Sequence, residues 1–124
     1  MLVIVREDQP KIAMGMLSYL PGLQSVAAVR REISWYQASD DRELLLWQNT
    51  DNQHYTACLG VETVFNSVMV RHIVFSPEIE ESESYAIGAQ ILQELTLRCS
   101  PKSIIGTLTT QAILTKWRET QDEQ

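Results

Sequence analysis

Apolar residues recur along this chain at two spacings, and the changes between them divide it into nine segments. Residues 2–5 (LVIV) are a short apolar run closed by Arg6, Glu7 and Asp8, which reads as a strand. Over 11–20, Ile12, Ala13, Met16, Leu17 and Leu20 share one helical face, and Pro21-Gly22 stops that helix. A second helix is predicted over 23–37, with Val26, Val29, Ile33 and Tyr36 as its stripe, followed by a polar connection over 38–41. Residues 43–47 (ELLLW) and 54–64 read as strands around the turn chemistry of 49–52 (NTDN). Gly60, inside the longer of these strands, marks a bulge or a close backbone approach. Asn66-Ser67 then reads as a tight hairpin turn.

The stretch 68–95 organises the rest. Residues 68–75 are apolar except for Arg71 and His72, the pattern of a central strand covered on both faces. Pro77 cannot donate to a ladder and ends the strand. An acidic loop follows, and from Ala86 the apolar positions Ile87, Ile91, Leu92, Leu95 and Cys99 keep helical spacing. A strand that runs into a small-residue helix start is an anion site in waiting, because first-turn amides point outward unpaired. Ser100-Pro101-Lys102 breaks the chain, 103–107 (SIIGT) reads as one more strand, and 110–119 as a last helix before a polar tail over 120–124. Three hairpin-linked strands run antiparallel, and the strand at 103 returns parallel to the one at 68 because a helix crosses between them. The prediction is an α+β fold in the order β-α-α-β-β-β-α-β-α. Its mixed, mostly antiparallel sheet has about five strands, with helices on both faces.

With 124 residues the chain suits a single domain spanning 1–124. Its net charge of −6 includes Glu78, Glu80, Glu81 and Glu83, and no basic patch offsets them, so nucleic acid is not an expected partner. No apolar run reaches the roughly 20 residues that span a bilayer, and no membrane partner is expected. Cys58 and Cys99 lie inside predicted elements without metal-ligand spacing, so two reduced thiols and a cytoplasmic setting are expected. CxxC, HExxH and P-loop motifs are absent from the sequence, and its histidines and cysteines form no ligand cluster.

The element order, together with KIAMGMLSYLP (11–21), LLW (45–47), GVE (60–62) and VRHI (70–73), resembles the GNAT acyltransferase family. Within it, the likeness is greatest to the small RibT family encoded among bacterial riboflavin-biosynthesis genes. It runs over essentially the full length and includes an early stop after the fourth helix. The resemblance implies an N-acyltransferase that uses acetyl-CoA as co-substrate and a small-molecule or protein amine as acceptor. Strand amides around Ile73, Val74 and Phe75 would polarise the thioester carbonyl. Matching the end of the GNAT pyrophosphate motif to Ala86-Ile87-Gly88 assigns the pyrophosphate to amides of Tyr85, Ala86, Ile87, Gly88 and Ala89. That registration places Glu83 where the family has Gln or Arg, and the last helix lacks the Tyr that often serves as acid.

Two side chains are candidate bases. His72 titrates near neutrality in the middle of its strand; it is either the base or a hydrogen-bonded core histidine that shares a face with Val68, Val70 and Val74. Glu62, on the neighbouring strand, is either a second base or a plain strand carboxylate, and Arg71 pairs either with Glu62 or with an anionic ligand. Met14, Met16, Tyr19, Trp35, Tyr36 and Trp47 either line an acceptor pocket or fill the core. A GNAT-shaped binding module that has lost transfer is the alternative function, favoured by the acidic loop. The short apolar strand at 103 would be an edge that invites either pairing or cover, and pairing would give a homodimer.

Overall fold

The computed structural model describes residues 1–6 and 10–123. The predicted strand closure at Glu7 and Asp8, and Gln124 at the end of the tail, lie outside the described residues. The elements are β1 (Leu2–Ile4), α1 (Lys11–Leu17), α2 (Val26–Gln37), β2 (Arg42–Gln48), β3 (Tyr55–Val64), β4 (Ser67–Phe75), α3 (Glu81–Cys99), β5 (Ser103–Gly106) and α4 (Gln111–Asp122). One five-stranded sheet runs β1-β2-β3-β4-β5, antiparallel except for the β4–β5 pair, so the predicted order and class are those observed.

Each face of the sheet has its own core. Leu45, Leu59, Val68 and Val70 point to α3 and α4, where Ile91, Leu92, Leu95, Leu114 and Trp117 meet them. Leu44, Leu46, Cys58 and Val74 point the other way, to Ala13, Met16 and Leu17 of α1 and to Val29, Ile33 and Tyr36 of α2. Cys58 and Cys99 are both free thiols. Full burial pushes the Cys58 thiol up to about 12, so it packs as a small apolar group.

Three boundaries differ from the sequence expectation in ways that matter for the site. The β3–β4 turn is Phe65-Asn66 rather than Asn66-Ser67; Phe65 takes the left-handed conformation (φ 55°) and is 95% exposed. Helix α4 continues to Asp122, absorbing most of the expected tail. Helix α3 begins at Glu81, five residues before the predicted start at Ala86. The reason is electrostatic: Glu80 caps the helix, Glu81 and Glu83 sit in its first turn, and carboxylates at that end are favoured by the helix dipole.

Candidate active site

Strand β4 carries a bulge. Gly60 pairs with His72 while its neighbour Val61 pairs with Val70, so Arg71 is the extra residue. A one-residue insertion reverses the facing of all that follows. Val68 and Val70 therefore point to α3 and α4, whereas Arg71 and His72 lie on the α2 side. This corrects the expectation that His72 shares a face with Val68 and Val70; only Val74 keeps it company. Gly60 is required at the bulge because a Cβ there would lie 1.9 Å from the Tyr36 hydroxyl oxygen.

Beyond the bulge, β4 loses its outer neighbour. Pairing with β5 ends at Val70–Gly106, and the Thr110 hydroxyl takes over by donating to the Val70 carbonyl at 2.6 Å. The Ser76 amide donates to the Thr56 carbonyl at 2.8 Å, which sets the phase of the β3–β4 ladder. Paired residues alternate in such a ladder, so Val74 bonds towards β3 while the amides of Ile73 and Phe75 turn outward, where β5 has already ended. Two cavities lie along this exposed edge. One, about 370 Å³, is lined by Leu20, Leu23, Arg71, His72, Ile73 and Thr110. The other, about 330 Å³, is lined by Ile73, Phe75, Glu81, Tyr85, Ile113 and Lys116, among others. Ile73 and Ile113 border both, which makes one trough between β4 and α4.

The residues assigned from sequence to the pyrophosphate do not converge on that trough. Amides of Tyr85 to Ala89 lie inside α3, where each donates to the carbonyl four residues back. Tyr85 borders the trough, with its hydroxyl donating to Glu81 at 2.7 Å, whereas Ala86 and Ile87 border a separate groove beside Trp47 and Gln48. Gly88 is explained by packing: a Cβ there would lie 2.1 Å from the Trp117 indole. Ala89 is buried, and its carbonyl accepts from Gln121 at 3.0 Å. The helix start itself is capped from within. The Glu80 carboxylate accepts the Glu83 amide, the Glu83 carboxylate accepts the Glu80 amide at 3.4 Å, and the Ile79 amide donates to the Ser76 carbonyl. Lys116, whose ammonium lies 5.2 Å from the centre of the Tyr85 ring, is the cation at the α3 end of the trough, and Arg71 lies at the other end.

On the α2 side, His72 Nδ1 makes a short hydrogen bond with the Tyr36 hydroxyl. Burial holds the phenol far above its ordinary range, and its hydrogen has no other acceptor among the described residues. Nδ1 is therefore the acceptor, and Nε2 carries the hydrogen of the neutral ring. Nε2 lies 4.0 Å from the Glu32 carboxylate. Desolvation lowers the His72 pKa from 6.5; Glu32 opposes this and Arg71 adds to it. Glu62 has both oxygens engaged, Oε1 by Arg71 at 3.2 Å and Oε2 by Arg42 at 3.5 Å. The Trp35 ring lies against both guanidiniums, 4.0 Å from Arg42 and 4.9 Å from Arg71. Of the six residues considered for an acceptor pocket, Trp35 lines a cavity here and Tyr36 reaches it through His72. Met16 is core, Tyr19 is exposed, Met14 packs at the margin of the α1–α2 core, and Trp47 lies towards the opposite face of the sheet.

No family profile matches the chain. A Bacillus methanolicus protein described as an uncharacterized N-acetyltransferase in the lysA 3′ region is 26% identical over 117 residues, covering 94% of this chain and 93% of that one. A Vibrio cholerae spermidine N-acetyltransferase SpeG chimera superposes with a TM-score of 0.67 at 8% identity, over 97% of this chain and 78% of that one. The aminoglycoside N-acetyltransferase AAC(6′)-Iy in complex with CoA gives 0.66 at 7% identity, over 97% and 85%. The chain has the GNAT fold. Sequence reasoning missed Glu32, Lys116 and Thr110 here. Glu32 was within reach, since it stands one helical turn before Tyr36, at i, i+4.

Proposed function

We propose that this chain is an acetyl-CoA-dependent N-acetyltransferase that acts on a small amine. The observation that carries the proposal is the loss of β5 beyond Val70, which turns the Ile73 and Phe75 amides into a trough continuous with His72. Acetyl-CoA would supply a thioester: the amide C–N bond forms as the C–S bond breaks, and the proton lost by the amine balances the one gained by the thiolate. The chain's own residues divide the remaining work. Amides of Ile73 and Phe75 are fixed donors for an oxygen that gains negative charge. The sequence placed the base on His72 or Glu62. With Tyr36 on Nδ1 and arginines on both Glu62 oxygens, the proposal moves proton acceptance to Glu32, through water, and makes His72 its positioning residue. The acyl end of the donor fits this trough. The diphosphate end meets the carboxylate-capped start of α3, with Lys116 as the cation nearby.

That capped helix start favours a second function, a GNAT-shaped accessory module that has lost transfer. One measurement separates the two. Acetyl-CoA at a hundred times its Kd should stabilise a specific binder by about 2.7 kcal/mol, read as a higher melting temperature, and an amine acceptor should then release free thiol. An unchanged melting temperature at millimolar acetyl-CoA overturns the transferase and leaves the module. The resemblance of the α1 and β4 segments to RibT supports kinship with that family and an acceptor connected with flavin biosynthesis. Two free thiols support a cytoplasmic setting. A homodimer remains part of the proposal, on the position of β5 as the last strand of the sheet, although Arg118 and Gln111 already engage its Ile104 carbonyl and Gly106 amide; analytical ultracentrifugation would reveal it.

A further inference from the structure

The cavity beside His72 on the α2 side has a volume of about 450 Å³ and is lined by Arg31, Glu32, Trp35, Arg71 and His72. Its charge runs against that of the molecule. The chain as a whole carries −6, yet two arginines and a single carboxylate border this space. Arg71 shares Glu62 with Arg42, so one carboxylate serves two guanidiniums and a positive charge is left over. Only Nη1 of Arg71 is engaged by Glu62 and Met69, and 37% of the side chain is exposed. Arg31 makes no ion pair among the described residues. Trp35 holds Arg71 in place from below, at 4.9 Å.

We propose that the acceptor is an amine that also carries a carboxylate or a phosphate, with its anionic group on Arg71 and Arg31 and its nitrogen towards Glu32 and His72. This inference rests on the transferase proposal for its chemistry but is tested without it. A guanidinium with free N–H groups over an aromatic ring is suited to a planar carboxylate or a phosphate. A polycation would find one carboxylate, Glu32, against two arginines, and the like charges select against it. His72 and Arg71 border both this cavity and the trough, so an amine oriented by its anion faces the outward amide of Ile73.

Binding is read on the full chain by NMR, from the Trp35 indole and His72 ring signals, with no acyl donor present. Glutamate and O-phosphoethanolamine are the two anionic amines, and spermidine and ethanolamine are the controls. Saturable shifts from glutamate or O-phosphoethanolamine are expected, and the stronger of the two identifies the anion as carboxylate or phosphate. Arg71→Gln and Arg31→Gln should each weaken that binding by about tenfold. Arg31 lies on an exposed helical surface outside the Glu62 cluster, so its variant keeps the test valid if Arg71→Gln unfolds. No saturable shift from either anionic amine, tighter binding of spermidine, or an unchanged affinity in Arg31→Gln overturns the inference. Thermal stabilisation by acetyl-CoA, measured separately, decides the transferase proposal, so the two can fail independently.

Discussion

His72 is held neutral by its surroundings, and this has a consequence for stability. Desolvation lowers its pKa from 6.5 in the folded state, so between the folded value and 6.5 the unfolded chain binds more protons. The stabilisation from this group is complete above 6.5 and is lost as the pH falls through 6.5 towards the folded value. The urea midpoint should therefore drop on acidification from about pH 7.5 to about pH 5.5, and the drop should be smaller in His72→Gln. Parallel curves for the two proteins would remove His72 as the source. Tyr36→Phe is a separate test of the same contact. It keeps the ring in the core but leaves Nδ1 without its donor, at an expected cost of about 1–3 kcal/mol. Ring ¹⁵N shifts should show the Nδ1–H form gaining population; an unchanged tautomer would mean that the phenol does not set it.

Helix α3 shows how much of the fold was legible in the sequence, and where legibility ended. Its buried stripe, Ile91, Leu92 and Leu95, followed from spacing alone, because burial of one helical face leaves a period in the sequence. Its first turn did not, because Glu81, Ser82 and Glu83 bury nothing; capping and dipole fix that turn, and neither has an apolar period. The Gly60 signal was legible as a bulge or close approach and proved to be both, yet its effect on the facing of His72 depended on which strand took the extra residue. Gly88 was read as a phosphate position, and what the sequence could not show is its packing on Trp117, a contact between residues 29 positions apart that no local motif contains. Gly88→Ala should therefore destabilise by about 1–3 kcal/mol through overpacking, with a shift in Trp fluorescence. Full stability in that variant would contradict the packing. Glu80→Gln with Glu83→Gln should lower the melting temperature by removing charged caps, at about 0.5–2 kcal/mol, while tightening acetyl-CoA. Lower stability without tighter binding would place the diphosphate away from α3.

At the scale of the molecule, the proposed donor is an anion approaching a chain of net charge −6, and four carboxylates crowd the approach to α3 and its first turn. The attractive charge on the trough wall beside α3 is Lys116, which also lies 4.0 Å from the Glu119 carboxylate, while Arg71 at the far end of the trough shares Glu62 with Arg42. Long-range repulsion should therefore exceed local attraction at low salt. Raising the salt from about 10 mM to about 150 mM shortens the screening length from about 30 Å to about 8 Å, which removes the molecule-wide field while sparing contacts at hydrogen-bond distance. Acetyl-CoA affinity should then rise with ionic strength over this range, the reverse of what a basic nucleotide site gives. The acceptor cavity predicts the opposite slope for an anionic amine, because two arginines border it and salt weakens their pull. Titrating each ligand by calorimetry at low and moderate salt compares the two slopes on one protein. Affinity for acetyl-CoA that falls with salt would show a cationic grip dominating the carboxylates around α3. Equal slopes for both ligands would mean that the two cavities do not differ in the sign of the potential they present.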